Sequence, residues 1–288
     1  MRRRGYGFYL QLAFTLLVCA FLIVPVGMSI VAGITVNYVQ GITSGLTFHW
    51  IAEVWNLYAE TIFRSMLIAL SCLVVTLLIG VPTAYVLGKR PGPVARMIEE
   101  FLVLPVAIPG LAIALALIIT YGGFREFRTS WPFILVGHVL YTLPFMVRAV
   151  LAVLTTMDFR TLEEGAASLG ASFWQRFFGV ILPNVRPGIV AGSLMAVTLS
   201  IGEFNLTWML HTPTTMTLPV GLADSYASMR LEIGSAYTLV FFVMIIPLLI
   251  ALQLYGTPRG RPRRRVQEEA TPAIAAAARR ATGAAGSQ

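Results

Sequence analysis

The chain has 288 residues, of which 57% are hydrophobic and only 12% are charged. A soluble domain carries about 25% charged residues, and one of this size could not bury so much apolar surface. The composition therefore excludes an ordinary soluble protein and predicts an all-α, polytopic membrane protein. Cys19 and Cys72 are too few and too isolated to form a disulfide framework or a metal site.

Six apolar stretches are each long enough for a helix to cross a hydrocarbon core of about 30 Å. The first is longer than the apolar part of a signal peptide, so we expect an uncleaved span. Pro105 and Pro109 predict that the third span is kinked or broken, and Pro144 lies inside the fourth. The expected spans, which form one domain over residues 8–256, are residues 8–34, 61–88, 98–121, 132–154, 187–210 and 236–255.

The positive charges predict the orientation of this domain. Six spans place both termini on the same side of the membrane. If the termini are cytoplasmic, all but four of the 21 Lys and Arg residues are cytoplasmic too. The four outer ones are Arg64, Arg125, Arg128 and Arg230. Residues 1–7, the loop 155–186 and the basic, disordered tail 257–288 are then cytoplasmic. The net charge of +8 reflects topology and contact with anionic membrane lipids, and does not indicate nucleic-acid binding.

The loop 155–186, between the fourth and fifth spans, begins with the pattern of a short helix. Thr161, with Glu164 three residues later, predicts a capping box at the start of this helix. Gly170 predicts its end, because glycine adopts the left-handed conformation without penalty.

The second half of the loop predicts another helix. Ser172 and Gln175 repeat the capping box, and Pro183 is expected to stop the helix. An apolar stripe at helical spacing predicts that this helix lies along a surface, and it consists of Phe173, Phe177, Val180 and Ile181, widened by Trp174, Phe178 and Leu182.

The loop contains Glu164-Gly165-Ala166, three residues, Gly170, nine residues, and then Val180-Ile181-Leu182-Pro183. This spacing closely resembles the EAA loop of ABC importer permeases, whose consensus is Glu-Ala-Ala, three residues, Gly, nine residues, Ile, any residue, Leu-Pro. Gly165 and Val180 are the two departures from it.

The resemblance implies a six-span permease subunit of the bacterial inner membrane, in which this loop forms a cytoplasmic coupling helix. In that family the coupling helix sits in a cleft of the nucleotide-binding subunit. The implied partners are ABC ATPase subunits, a second permease subunit in a homodimer or heterodimer, and an extracytoplasmic solute-binding protein; no cofactor is implied. The expected ATPase-coupling interface consists of Glu163, Glu164, Gly165, Ala166, Gly170, Leu182 and Pro183.

ATP hydrolysis must come from a separate polypeptide if it drives this protein. A phosphate-binding loop ends in Gly-Lys-Ser/Thr, but the single lysine here, Lys89, is followed by Arg90. The small residues of the first loop helix would let a partner backbone approach closely, while Glu163 and Glu164 would offer carboxylates to a partner arginine. The alternative is an amphipathic hairpin that rests on the inner leaflet. No catalytic motif indicates that the chain is itself an enzyme.

Glu203 is the only carboxylate deep inside an expected span, so it should face the bundle interior or water. With Asn205 and Thr207 it is a candidate for the translocation pathway; a structural hydrogen bond to a neighbouring span explains it equally well. His138 in the fourth span is expected to be a satisfied helix contact rather than a proton relay.

The resemblance to ABC importer permeases implies a subunit that forms half of a pathway for a small solute. Gly202-Glu-Phe-Asn205 and Thr217-Leu-Pro219 resemble the polyamine and 2-aminoethylphosphonate permeases. The alternative is an ion-coupled secondary transporter, which would be expected to place more ionisable residues at mid-membrane.

Overall fold

The computed structural model describes residues 6–256; the predicted tail and most of the predicted N-terminal segment lie outside them. Within this range the chain is helical, with no β-strand and one isolated antiparallel bridge between Thr35 and Leu46. The helices are α1 (Tyr6–Ala32), α2 (His49–Lys89), α3 (Pro93–Ala107), α4 (Gly110–Tyr121), α5 (Arg125–Arg128), α6 (Trp131–Thr156), α7 (Phe159–Ser168), α8 (Phe173–Arg176), α9 (Leu182–Ile201), α10 (Asn205–Leu210), α11 (Leu218–Ala227) and α12 (Leu231–Gly256).

Five helical segments of the described chain are long and apolar enough to cross a membrane, and α3 with α4 makes a sixth if this bent pair is one span. The two helices meet at an angle of 101°. Ile108 between them is extended, and Pro109 caps α4. The predicted break within this apolar stretch is therefore confirmed.

Helix α2 is longer than the expected second span. Helix α2 begins at His49 and bends at Tyr58, whose φ of −132° is not helical. The aromatic residues before residue 61 therefore belong to this helix, and the indole of Trp50 donates to the Thr35 carbonyl oxygen at 2.9 Å.

The fifth span differs most from the prediction. Pro183 does not stop a helix, because residues 173–201 form one continuous helical segment with a π-helical turn at Phe177–Ile181. The wide turn lies directly before Leu182 and Pro183, where a missing amide hydrogen would otherwise interrupt the bonding ladder. The apolar stripe is therefore the start of the span, not a separate surface helix.

The same span ends early. Helix α9 stops at Ile201, and the expected segment 187–210 is interrupted before the short helix α10 begins at Asn205. Glu203 consequently lies in a break between two helices rather than deep inside one.

Helices α2, α6 and α9 pack against one another at the centre of the bundle. Their contacts are close because small residues face large ones. A Cβ atom added to Gly80 would lie 2.7 Å from Met146 Cγ, and one added to Gly192 would lie 2.7 Å from Met146 Sδ. The buried cluster around Met146 extends to Phe159 and Phe177, so it also carries α7 and the start of the fifth span.

Candidate functional site

The N-cap of helix α7 is Asp158, three residues before the predicted N-cap Thr161. Its carboxylate caps the helix: Oδ1 accepts from the Thr161 amide at 3.3 Å and Oδ2 from the Thr161 hydroxyl at 2.6 Å. The predicted Thr161–Glu164 box is therefore wrong, because Thr161 lies inside α7 and its amide donates to Asp158 rather than to Glu164. The hydrogen bonds from the Thr161 side chain and amide lower the pKa of Asp158.

The end of α7 follows the prediction. Gly170 has φ of +85°, and its amide donates to the Ala167 carbonyl oxygen at 2.9 Å. The amide of Ala171 donates to Ala166 at 3.1 Å, which completes the paired bonds of a Schellman cap.

The second capping box is also confirmed. The Ser172 amide donates to Gln175 Oε1 at 2.8 Å, and the Gln175 amide donates to Ser172 Oγ at 3.4 Å. These caps set the sharp turn between α7 and α8.

Glu163, which the sequence predicted to offer its carboxylate to a partner, is buried within the chain. Its side chain is only 4% exposed. Its Oε1 accepts from Lys89 Nζ at 2.6 Å, from the Tyr85 hydroxyl at 2.9 Å and from Arg176 Nη1 at 3.2 Å. Glu163 therefore joins α7 to the end of α2 and to α8. We call these four residues the Glu163 cluster.

The electrostatics of the Glu163 cluster favour the ionised carboxylate. Burial alone would raise the pKa of Glu163, but the hydrogen bonds from Lys89 and Tyr85, with the charges of Lys89 and Arg176, outweigh it and lower the pKa. Arg160 adds a further tie, since its Nη2 donates to the Lys89 carbonyl oxygen at 2.8 Å. The start of the loop is thus firmly attached to α2.

The other face of α7 is open. Glu164 and Gly165 are exposed, Ala166 is half-buried, and a Cβ atom added to Gly165 would meet nothing within 4 Å. Leu169, at the end of this helix, is 89% exposed, which is unusual for a leucine with a packed core beside it.

Leu182 and Pro183 lie apart from this open face, at the start of α9. Leu182 packs against the buried cluster, whereas Pro183 is exposed.

Glu203 caps the helix that follows it. Its Oε1 accepts from the Leu206 amide at 3.0 Å, and its Oε2 accepts from the Thr207 amide at 2.9 Å and hydroxyl at 3.1 Å. Thr207 is buried and Asn205 is exposed. The structure thus brings Glu203 and Thr207 together.

The break between α3 and α4 lies close to the break between α9 and α10. A Cβ atom on Gly110, the first residue of α4, would lie 3.5 Å from Glu203 Oε1 and 3.6 Å from Asn205 Cβ. The break before α4 was predictable from its prolines, whereas the break before α10 was not predicted. The only signal for the latter was Gly202 beside a charged residue in an apolar run.

His138 is a satisfied contact between helices, as expected. Its Nδ1 lies 2.8 Å from Ser200 Oγ, and its Nε2 lies 2.8 Å from Thr207 Oγ1. Across residues 6–256 no three His, Cys, Asp or Glu side chains form a group that could hold a metal ion.

The chain matches a known family and its relatives. Residues 80–256 match the model of the "binding-protein-dependent transport system inner membrane component" family. The PhnV permease protein assigned to 2-aminoethylphosphonate transport in Salmonella paratyphi A is 25% identical over 83% of this chain and 91% of its own. The molybdenum transport system permease protein ModB of Escherichia coli K12 is 27% identical over 70% of this chain and 95% of its own.

Two solved structures share the fold. A bacterial ABC transporter involved in the import of the acidic polysaccharide alginate gives a TM-score of 0.67 at 15% identity, covering 89% of this chain and 96% of that one. The inward-facing MetNI methionine ABC transporter gives 0.56 at 17% identity, covering 71% and 94%. With the family match over more than half of its length, the chain belongs to the inner-membrane permease components of binding-protein-dependent ABC importers.

Proposed function

We propose that this chain forms half of the translocation pathway of an ATP-driven importer for a small solute delivered by an extracytoplasmic binding protein. The family supports an importer over an ion-coupled secondary transporter. ATP hydrolysis belongs to a separate subunit, because the chain lacks a Gly-Lys-Ser/Thr loop.

Helix α7 is the proposed coupling helix. The observation that carries this proposal is the contrast between its two sides. The buried carboxylate of Glu163 fastens one side to α2 and α8, while Glu164 and Gly165 leave the other side open. A helix held in this way can receive a push on its open face and pass it to two membrane-spanning elements.

The proposed ATPase contact consists of Glu164, Gly165, Ala166 and Gly170. Glu164 has a carboxylate free for a charge-assisted bond to an arginine, and Gly165 lets a partner backbone come close. Glu163, Leu182 and Pro183, which were predicted as part of the same interface, act from behind it: Glu163 holds α7, and the other two begin the fifth span.

The proposed arrangement in the membrane has six spans, with α3 and α4 as one broken span, and both termini in the cytoplasm of a bacterial cell. All but four of the 21 Lys and Arg residues are then cytoplasmic. The working unit would contain a second permease subunit and two ATPases.

The proposed pathway region is the meeting point of the two helix breaks. Glu203 shapes it by capping α10, and Thr207 anchors that helix. Asn205 has the exposed side chain of the three and is therefore the proposed solute contact. Of the two solute classes that the sequence suggested, polyamine and aminophosphonate, the likeness to PhnV favours the aminophosphonate.

Uptake by proteoliposomes that contain the chain with its second permease subunit and its ATPase, and that receive the solute-binding protein on the outer side, tests this function. We expect uptake with ATP and none with a proton gradient alone. Glu164→Arg should abolish uptake, whereas Glu126→Arg, which reverses an exposed charge on α5, should not. Gradient-driven uptake, or full activity of Glu164→Arg, would contradict the proposal.

A further inference from the structure

The break between α9 and α10 is bridged by one side chain of a third helix. His138 of α6 bonds through Nδ1 to Ser200, before the break, and through Nε2 to Thr207, after it. All three side chains are buried, at 2%, 4% and 0% exposure. The imidazole is therefore the shared anchor of both helices.

The hydroxyl of Thr207 fixes the direction of these bonds. It donates its single hydrogen to Glu203 Oε2 at 3.1 Å, so it must accept from His138 Nε2. The nitrogen Nε2 therefore carries a hydrogen. In the neutral imidazole Nδ1 then accepts from the Ser200 hydroxyl.

The bonds consequently run one way, from Ser200 to His138, to Thr207 and to Glu203. We call these four residues the Ser200–Glu203 hydrogen-bond chain. Bonds that point the same way polarise one another, and inside a protein they are stronger than in water. The hydrogen-bond chain ends on the Glu203 carboxylate, which faces Gly110 at the start of α4.

The residue beside His138 brings α10 close enough for this contact. A Cβ atom on Gly137 would lie 2.5 Å from Leu206 Cδ2 and 3.0 Å from Leu210 Cδ1. Gly137 and His138 thus act together, one by removing bulk and the other by supplying both hydrogen bonds.

We propose that His138 is a positioning residue that holds the α9–α10 break in its bend and orients Glu203 toward α4. The role of His138 in holding the bend follows from these contacts alone. The importance of the bend for transport rests on the proposed function. His138 does not contact the solute in this account.

The distance between spin labels on either side of the break tests the bend. Labels are placed at Met195→Cys on α9 and Met209→Cys on α10, both exposed, in the full chain in lipid nanodiscs with Cys19→Ser. We expect one narrow distance distribution for the parent chain. His138→Leu should broaden or shift it. His138→Gln should keep it, because an amide both donates and accepts.

A matched control is Thr76→Val. This buried hydroxyl of α2 bonds only to carbonyl oxygens of its own helix, at Cys72 and Leu73. It should leave the distribution unchanged. Should His138→Leu fail to fold, Ser200→Ala decides by the same measurement, because it removes the hydrogen bond between Ser200 and His138 at the start of the hydrogen-bond chain.

The parent distribution in His138→Leu, or equal broadening in Thr76→Val, would overturn the inference. Uptake gives the second readout. We expect His138→Leu to lower the uptake rate and His138→Gln to keep it near that of the parent chain. Because the distances need no ATP, they decide the role of His138 even if the importer function is refuted.

Discussion

The Nζ atom of Lys89 lies 2.6 Å from Oε1 of Glu163, although the two residues are far apart in the sequence. Lys89 is the last residue of α2, and Glu163 lies in the middle of α7. This ion pair is how a loop outside the bundle is held to one of its central helices. Loss of Glu163 would leave Lys89 and Arg176 without their shared carboxylate, whereas loss of Lys89 would leave Glu163 paired with Arg176 alone.

Removing the charge of Glu163 should destabilise the protein. We expect Glu163→Gln to lower the free energy of unfolding by about 1–3 kcal/mol, because a buried acceptor of three hydrogen bonds loses its ionised form. Thermal unfolding of the purified chain measures this. Glu164→Gln is the control, because Glu164 is adjacent in the sequence and its side chain is exposed. Equal losses of stability in the two variants would be evidence against the Glu163 cluster.

The pH dependence of stability should report the same carboxylate. The pKa of Glu163 is lower in the folded chain than its ordinary value, so its stabilising effect is present at neutral pH and is lost as the pH falls through the lowered pKa. The difference in Tm between the parent chain and Glu163→Gln should be constant above about pH 5.5 and shrink below about pH 4.3.

Asp158 also has a lowered pKa, but it is present in both chains, so its effect cancels in that difference. A difference in Tm that stays constant to the lowest measurable pH would show that Glu163 is not held ionised by its neighbours.

The two glycines of the proposed coupling segment, which is α7 with the turn that ends it, should respond in opposite ways to alanine. Gly170→Ala should destabilise the segment by about 1–2 kcal/mol, because φ of +85° is unfavourable for any residue with a Cβ atom. Gly165→Ala should stabilise α7 by about 1 kcal/mol, since the position is helical and open. Amide hydrogen exchange of α7 distinguishes them, and a slower exchange in Gly170→Ala would contradict the assigned cap.

The contact between α6 and α9 should not tolerate one added methyl group. A Cβ atom on Gly188 would lie 2.6 Å from the Ala149 carbonyl oxygen and 3.0 Å from Val150 Cα, both backbone atoms that cannot move alone. We expect Gly188→Ala to cost about 1–3 kcal/mol of stability, measured by thermal unfolding. Gly27→Ala in α1, where nothing lies within 4 Å, should cause no such loss; no loss in Gly188→Ala either would mean that these helices pack less closely.

The sequence predicted features that depend on a few adjacent residues. Pro105 and Pro109 indicated the broken third span, and Gly170 and the Ser172 box indicated the turn after α7. Each needs only local backbone chemistry: a missing amide hydrogen, a positive φ or a pair of capping side chains.

Features that depend on distant partners were not predictable in this way. Glu163 and Glu164 are adjacent and chemically alike. Glu163 is nevertheless buried, because Tyr85 and Lys89 of a distant helix donate hydrogen bonds to it, whereas Glu164 is exposed. Pro183 looked like a helix stop, but a π-helical turn before it lets the helix continue. Glu203 looked like a charge inside a span and proved to cap α10.

Photo-cross-linking from Leu169 tests the central proposal, that the open face of α7 meets a separate ATPase, most directly. The photoreactive residue p-benzoylphenylalanine replaces this 89% exposed leucine in the full chain, co-expressed with its ATPase. The same substitution at Ile119, 75% exposed on α4, is the control. We predict cross-linking to the ATPase from position 169 and none from position 119; cross-linking from position 119 alone, or from neither position in an intact complex, would contradict the account.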